Sequence, residues 1–156
     1  MTTASPPRGT GHADVITWSQ SIAGIDWHEL EALYRAAPLG NKDAAGLQVV
    51  YGNSRSCCVA FDQGKLVGAG RALADGLDCS YVCDVAVLPS HQGTGVGKQI
   101  VAMLVELSQG HRKIILYAVP GKEPFYRKFG FRRMLTAMAI FPDMQEAMAR
   151  GYVTEE

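Results

Sequence analysis

The feature that most constrains the fold is a glycine-dense stretch, residues 92–97, between a long apolar run and an amphipathic one. The run before it, residues 79–88, has the apolar and β-branched composition of a strand and ends at Pro89. The run after it, residues 95–107, places apolar side chains at helical spacing and predicts a helix that Gly110 ends. The sequence therefore predicts a strand, a glycine loop and a helix in direct succession.

A glycine loop between a strand and a helix is suited to binding phosphate groups. Gly93, Gly95 and Gly97 carry no side chains that would block a ligand from the backbone N–H groups, and the helix dipole favours an anion there. Lys98 adds a positive charge in the first helical turn. The stretch matches neither the Walker loop nor the Gly-x-Gly-x-x-Gly fingerprint, which requires glycine where Lys98 stands. The alternative interpretation of this stretch alone is a turn that only starts a helix.

The rest of the chain predicts one domain with helices on both faces of a mostly antiparallel sheet. Asp26 is the expected N-cap of a first helix, with Glu29 reaching back in a capping box, and Asn41 is the expected cap of a second. This order predicts an α/β (α+β) fold with six to seven strands in residues 14–156, preceded by a flexible tail, residues 1–13. The predicted strands are residues 14–18, 57–62, 65–73, 79–88, 114–119, 131–134 and 137–141, and two further short helices are predicted at 124–129 and 142–150.

Composition and charge exclude several classes of function. Lys+Arg and Asp+Glu are equal at 15 each, so no long-range field would gather a nucleic acid. No apolar run is long enough to cross a bilayer, and residues 1–11 lack the apolar stretch of a signal peptide. We therefore expect a cytoplasmic protein with free thiols and without a metal, nucleic-acid or membrane partner. The metal expectation rests on the spacing of the four histidines and of Cys57, Cys58, Cys79 and Cys83.

Two blocks of sequence resemble motifs of the GNAT acetyltransferase superfamily. Residues 84–97 contain a strand end, a proline turn and the pattern Gln-x-x-Gly-x-Gly opening a helix, as in motif A of that family. Residues 124–131, Pro-Phe-Tyr-Arg-Lys-Phe-Gly-Phe, resemble its motif B. One strand separates the predicted helix after the first block from the second block, as in the family. The resemblance covers residues 57–141, and the order of elements in the whole chain agrees with it.

The resemblance implies that acetyl-CoA is the co-substrate and lies between two splayed parallel strands, here those ending at Leu88 and at Val119. The pantetheine arm would pair with backbone groups of one strand, as an added strand does. The implied cofactor-binding residues are Val85, Ala86 and Val87 for pantetheine, Gln92, Gly93, Thr94, Gly95, Val96, Gly97 and Lys98 for the diphosphate, and Phe125 and Tyr126 near the thioester.

The implied reaction is direct attack of an amine on the thioester carbonyl. Tyr126 would protonate the departing thiolate, and the alternative is that it only packs in its helix. Asp84 would accept the amine proton, directly or through water, and the alternative is a solvated or paired structural carboxylate. One departure from the family is Pro120, in a segment where many relatives carry an asparagine, so no role is carried over to that segment.

The acceptor is expected to be the primary amine of a small molecule. Aromatic and acidic residues of the first helices and the long strand suit an arylalkylamine, a polyamine or an aminosugar, including an aminoglycoside antibiotic, which would make the role antibiotic resistance. The expected substrate-binding residues are Trp27, Glu29, Tyr34, Tyr81 and Asp84. The alternatives are a protein or peptide N-acetyltransferase and a non-catalytic CoA-binding module. The sequence leaves open whether the protein is a monomer or a homodimer.

Overall fold

The computed structural model describes residues 15–37 and 39–156, so the predicted tail, residues 1–13, lies outside the described residues. The strands are β1 Ile16–Ser19, β2 Ser56–Asp62, β3 Lys65–Ala74, β4 Cys79–Val87 and β5 Lys113–Ile115. The helices are α1 Trp27–Ala36, α2 Ala44–Gly52, α3 Val96–Leu107, α4 Glu123–Arg127 and α5 Met144–Ala149, and a 3-10 turn covers Pro89–His91. No helix in the described ranges is both long enough and apolar enough to cross a membrane.

The five strands form one mixed sheet in the order β1-β2-β3-β4-β5. Neighbours from β1 to β4 are antiparallel, whereas β4 and β5 are parallel. Helices α1 and α2 cover one face and α3 covers the other, so the sheet is buried between two apolar clusters. The neighbouring thiols Cys57 and Cys58 lie in opposite clusters, because successive strand side chains point to opposite faces. All four cysteines are free.

Two glycines of β3 set the distance between α3 and the sheet. A Cβ atom at Gly70 would lie 2.8 Å from Ile100 Cγ2 and 2.9 Å from Leu104 Cδ1. A Cβ at Gly68 would lie 2.9 Å from Ile100 Cδ1. These separations are closer than carbon atoms approach without displacement, so α3 packs onto bare backbone. The start of α3, where the glycine loop lies, is therefore held tightly against the sheet.

The predicted start of the first helix is confirmed, whereas the second helix starts two residues later than predicted. The Asp26 carboxylate caps α1, accepting from the backbone N–H groups of His28 at 3.0 Å and Glu29 at 3.2 Å. Glu29 does not complete a capping box, because its carboxylate accepts instead from the backbone N–H of Leu66 at 2.8 Å. The second helix is capped by Asp43, not by Asn41. An aspartate two residues further along competes better, since its carboxylate accepts from Gly46 N–H at 2.7 Å.

The prediction of six to seven strands is wrong, because the described chain has five. The expected strand at residues 114–119 pairs only over Lys113–Ile115, and the expected closing pair, residues 131–134 and 137–141, forms no ladder. Leu135, Met138 and Ile140 are 86%, 97% and 96% exposed in that segment. Alternating apolar residues predict which face a strand would bury, but a strand also needs a neighbouring edge to pair with.

Candidate functional site

A gap opens between β4 and β5. The two strands pair in parallel only at Cys79↔Lys113, Ser80↔Ile114 and Tyr81↔Ile115. Strand β4 then runs on to Val87, while β5 ends at Ile115. The backbone of residues 82–87 therefore has strand β3 on one side and no paired strand on the other within the described chain. An edge of this kind can accept an extended ligand as an added strand.

A β-bulge at Asp84 and Val85 shapes the β4 side of this gap. The register passes from Arg71↔Cys83 to Ala69↔Ala86, so two residues of β4 stand opposite one residue of β3. Asp84 has φ of +55°, the left-handed region that non-glycine residues rarely adopt. The Tyr34 hydroxyl donates to the Asp84 carbonyl at 2.5 Å. The buried Tyr34 side chain thus holds the backbone of the bulge in place.

Tyr34 and Tyr51 form a buried hydroxyl pair, 2.6 Å apart, beneath the bulge. Burial raises the pKa of Tyr34 and of Tyr51 well above the usual value for a phenol. Both therefore stay neutral and able to donate. Since Tyr34 is 0% exposed, it supports the wall of the site and cannot touch a substrate.

The Asp84 carboxylate is held between two cations. Oδ2 accepts from Arg71 Nε at 2.7 Å, and Oδ1 lies 3.3 Å from Lys42 Nζ. The Asp84 side chain is 13% exposed and that of Arg71 is 11% exposed. Burial opposes the charge on Arg71, but the hydrogen bond to Asp84 raises the pKa of the guanidinium. The three side chains together carry one net positive charge.

The glycine loop presents unobstructed backbone at the start of α3. Gly93 and Gly95 have φ of +75° and +93°, and a Cβ at either would meet nothing within 4 Å. The first backbone hydrogen bond of α3 runs from Gln99 N–H to the Gly95 carbonyl at 3.0 Å. The N–H groups that precede Gln99 in the helix are therefore the free donors of its N-terminus. The loop has the geometry of an anion site.

The two sequence motifs meet in space. A Cβ at Gly97 would lie 3.4 Å from Val87 Cγ2 and 3.9 Å from Phe125 Cζ, so the loop, β4 and α4 converge there. The Phe125 and Tyr126 rings pack edge to face with centroids 5.0 Å apart. Tyr126 is half-buried, and burial raises the pKa of its phenol. Tyr126 therefore carries its proton throughout the neutral range.

A cavity of about 380 Å³ lies next to the β4 bulge. Aromatic rings form much of its wall: Tyr81 stacks on Tyr117 at 6.2 Å, and Tyr117 meets Phe141 and Tyr152 edge to face at 6.3 and 5.8 Å. Charged side chains complete the lining, namely Lys42, Asp84, Asp143, Glu146 and Arg150. The cavity is therefore apolar on one wall and of mixed charge on the other.

The structure brings some of the expected substrate residues together and separates others. Tyr81 and Asp84 line the cavity. Trp27 packs in the core against Tyr51, with ring centroids 6.3 Å apart, and Glu29 is committed to the Leu66 backbone. These two positions, like Tyr34, correct the expectation that residues of the first helix face the substrate. An aromatic residue of an amphipathic helix can face the core instead of a ligand: Tyr34 is buried in the core, and the half-buried Trp27 packs against it.

Three wall residues, Tyr117, Phe141 and Tyr152, escape sequence reasoning. They follow β5, precede α5 and follow α5, and no local pattern links them. Phe141 ends the predicted strand 137–141 and Tyr152 follows the predicted helix 142–150, but Tyr117 lies inside the predicted strand 114–119, so the three share no sequence signal. In the described part of the chain, no group of three or more His, Cys, Asp or Glu side chains is placed to hold a metal ion.

Comparison with known proteins identifies relatives of this arrangement. The family model described as "Acetyltransferase (GNAT) domain" matches residues 53–133. The chain is 30% identical over 116 residues to GCN5-related N-acetyltransferase 1, chloroplastic, of Arabidopsis thaliana, covering 72% of this chain and 59% of that protein. It is 39% identical over 88 residues to Serotonin N-acetyltransferase 2, chloroplastic, of Oryza sativa subsp. japonica, covering 55% of this chain and 40% of that protein. The match thus spans roughly half the length of these two relatives.

Solved structures share the fold at low sequence identity. A GNAT family acetyltransferase from Streptococcus pneumoniae superposes with a TM-score of 0.69 at 23% identity, covering 83% of this chain and 100% of that one. AAC(6')-Iy, in complex with a CoA-based bisubstrate analog, superposes with a TM-score of 0.61 at 20% identity, covering 83% and 97%. At these identities the likeness establishes the fold alone.

Proposed function

Because the chain belongs to the GNAT acetyltransferase domain family, we propose that it is an acetyl-CoA-dependent N-acetyltransferase that acts on the primary amine of a small molecule. The observation that carries the proposal is the parting of β4 from β5 beside a glycine loop in which the N–H groups of residues 93–98 find no acceptor among the described residues. Such a gap suits a ligand with an extended amide-containing arm and a diphosphate at one end, which is the chemistry of coenzyme A.

The proposed cofactor pose uses backbone for most contacts. The pantetheine arm would pair along β4 with Val85, Ala86 and Val87. The diphosphate would lie over the loop, held by the N–H groups of Gly93, Thr94, Gly95, Val96, Gly97 and Lys98. Gln92 would support the loop, since its N–H donates to the Pro89 carbonyl and its side chain to the Val87 carbonyl. Phe125 would cover the arm where it passes Gly97, a placement that the closeness of these two residues supports. The acetyl group would then lie near Asp84, next to the aromatic cavity.

The acceptor amine would enter through the aromatic cavity. Rings at Tyr81, Tyr117, Phe141 and Tyr152 favour an amine that carries a flat apolar body. Asp143 and Glu146 would draw the ammonium group inward, but Lys42 and Arg150 balance their charge, and Arg71 balances that of Asp84. A polycationic aminoglycoside would find little net attraction there, so we favour an arylalkylamine over an aminosugar. The name of the rice relative, a serotonin N-acetyltransferase, fits this choice.

The amine must lose a proton before it attacks. An alkylamine has a pKa of about 10, so holding it neutral at pH 7 costs on the order of 4 kcal/mol. Asp84 was expected to take this proton, but its carboxylate already accepts from Arg71 and pairs with Lys42. We propose instead that Asp84 anchors the bulge, and that the positive charges of Lys42 and Arg71 keep the pKa of the bound amine below the value that Asp143 and Glu146 alone would set. The proton would leave through water.

Tyr126 is the proposed proton donor for the thiolate of CoA. Burial raises the pKa of its phenol, which keeps the hydroxyl protonated at neutral pH. As the tetrahedral intermediate collapses, the C–S bond breaks, the sulfur takes the phenolic proton, and Tyr126 recovers a proton from solvent.

Direct transfer is favoured over an acetylated enzyme intermediate. Cys83 is the thiol that lines the cavity, and burial raises its pKa to about 11. Since the thiolate is the nucleophile, Cys83 is a poor acetyl acceptor at neutral pH. We therefore expect the amine to attack the thioester directly, without an acetyl-cysteine intermediate.

The experiment that tests the proposal is release of CoA thiol from acetyl-CoA with a panel of arylalkylamines, polyamines, aminoglycosides and peptides. Intact-mass detection of the acetylated product identifies the acceptor. We expect turnover with arylalkylamines. Turnover confined to peptides would establish the peptide acetyltransferase alternative, and binding of CoA without turnover on any amine would establish a binding module. A folded protein that binds no CoA would refute the whole proposal.

A further inference from the structure

A contact outside the reacting centre ties the glycine loop to the β2–β3 hairpin. His91, the last residue of the turn before the loop, places Nε2 2.7 Å from Asp62 Oδ2. Asp62 is the last residue of β2, where the hairpin turns. The His91 Nδ1 atom lies 2.8 Å from the Ser90 hydroxyl, so both ring nitrogens are engaged. The two side chains are only 20% and 15% exposed.

His91 also organises the loop through its backbone. Its N–H donates to the Leu88 carbonyl at 2.8 Å, and its carbonyl accepts from the Thr94 hydroxyl. Gln92 turns back to donate to the Val87 carbonyl at 3.1 Å. The residue fixed by Asp62 is therefore the same residue that sets the path of the chain into the loop.

The Asp62 carboxylate has little else to bind. Its Oδ1 atom is buried and finds no hydrogen-bond partner among the described residues. An unsatisfied buried acceptor destabilises the folded chain, so a carboxylate in this position weakens the hairpin unless its other oxygen compensates. The compensating contact is the one to His91. The contact to His91 is therefore the one side-chain contact that the described residues offer this carboxylate.

We propose that Asp62 and His91 are positioning residues that hold the glycine loop ready for the diphosphate of acetyl-CoA. This inference rests on the proposed function. Loop amides that are already aligned lose less conformational freedom when the ligand binds, and so bind it more tightly. The diphosphate lies far from the bond that breaks. Loss of the pair therefore weakens cofactor binding equally in the ground and transition states, raising KM for acetyl-CoA and leaving kcat unchanged.

The test compares two acetyl donors. S-acetyl-pantetheine has the reacting thioester and the arm but lacks the diphosphate, so a loop effect is seen only with acetyl-CoA. For Asp62→Ala we expect KM for acetyl-CoA to rise about tenfold, the equivalent of ~1.4 kcal/mol. The kcat, the KM for the amine and the kcat/KM for S-acetyl-pantetheine should stay within about twofold of wild type. Asp62→Asn keeps an acceptor oxygen for His91 and should recover most of the affinity.

The control is Asp78→Asn, which removes another carboxylate from an ion pair, that with Lys113, at the opposite end of β4. Asp78→Asn should leave the KM for acetyl-CoA and the kcat/KM for S-acetyl-pantetheine unchanged. His91→Ala breaks the same contact from the other side, and gives the same readout if Asp62→Ala does not fold. The inference is overturned if kcat/KM falls equally with acetyl-CoA and S-acetyl-pantetheine. It is also overturned if neither variant changes kcat/KM for either donor. If wild-type protein binds CoA by calorimetry and the variants bind it equally well, this inference alone fails. If wild type binds no CoA, the proposed function fails.

Discussion

Replacing Asp84 by asparagine tests whether this residue acts as a general base or only anchors the bulge. The substitution keeps an oxygen that can accept from Arg71, but removes the negative charge between Arg71 and Lys42. If Asp84 takes the amine proton, kcat should fall by about 10²–10⁴ at every pH. If Asp84 only anchors the bulge, the maximal kcat is retained and only the pH dependence of kcat shifts.

The size of that movement follows from the cavity. A sphere of 380 Å³ is about 9 Å across, so a charge on the wall acts on the amine over at most that distance. At an effective dielectric constant of ~20, a unit charge 9 Å away contributes roughly 1.8 kcal/mol. That corresponds to a pKa change of about one unit. Removing the negative charge destabilises the ammonium, so the pKa of the bound amine falls, and the acidic limb of kcat moves down by about one pH unit.

The assay is kcat against pH from about 6 to 10 at saturating acetyl-CoA and amine, since kcat reports the groups of the bound complex. Arg71, 11% exposed, loses its charged partner in Asp84→Asn, and stability should fall by about 3 kcal/mol. Rates are therefore divided by the concentration of CoA-binding sites, measured by titration. Lys42→Met is the matched variant of opposite charge, and its acidic limb should move up by about one unit. A pH-independent loss of more than a hundredfold in Asp84→Asn would refute the anchor role and restore the base.

Three further outcomes are expected. Tyr126→Phe should lower kcat by about 10²–10⁴ without changing CoA affinity, because the ring stays and only the proton donor is lost; unchanged kcat would mean that Tyr126 merely packs. Cys83→Ser should keep activity within a few fold, and intact-mass spectra of the wild type with acetyl-CoA alone should show no acetyl adduct, because burial raises the pKa of this thiol to about 11. Gly70→Ala should lower the free energy of unfolding in urea by about 1–3 kcal/mol, since its Cβ would lie 2.8 Å from Ile100 Cγ2; wild-type stability would show that α3 shifts without cost.

The parts of the fold that sequence reasoning predicted are those with strong local signals. The strand, glycine loop and helix from Cys79 to Leu107 lie where predicted, because apolar periodicity and glycine position both act over a few residues. The N-cap at Asp26 was predicted for the same reason. The closing strands at residues 131–141 were not, because their existence depends on pairing with a distant edge. The chain supplies the right pattern there, and the sheet ends at β5.

The role of Asp84 could not be predicted for a related reason. Sequence places an acid in an apolar strand, and both a base and a paired carboxylate fit that description. The partners that favour a paired carboxylate, Arg71 and Lys42, come from β3 and from the segment before α2, and no spacing rule connects them to β4. The left-handed φ of Asp84 was equally hidden, since nothing local to the residue demands it; the demand comes from the bulge and from the buried hydroxyl of Tyr34.

The two halves of the proposed site are built on different physical principles, and this bears on how the protein's specificity is set. The cofactor half uses backbone amides of one contiguous stretch, which change little when side chains change. The acceptor wall takes Tyr81 from β4, Tyr117 from the chain after β5, Phe141 from the segment before α5 and Tyr152 from the end of the described chain. Tyr117, Phe141 and Tyr152 lie outside the strands and the glycine loop. Substitutions at Tyr117 or Tyr152 should therefore change which amine is chosen while leaving CoA affinity within about twofold of wild type.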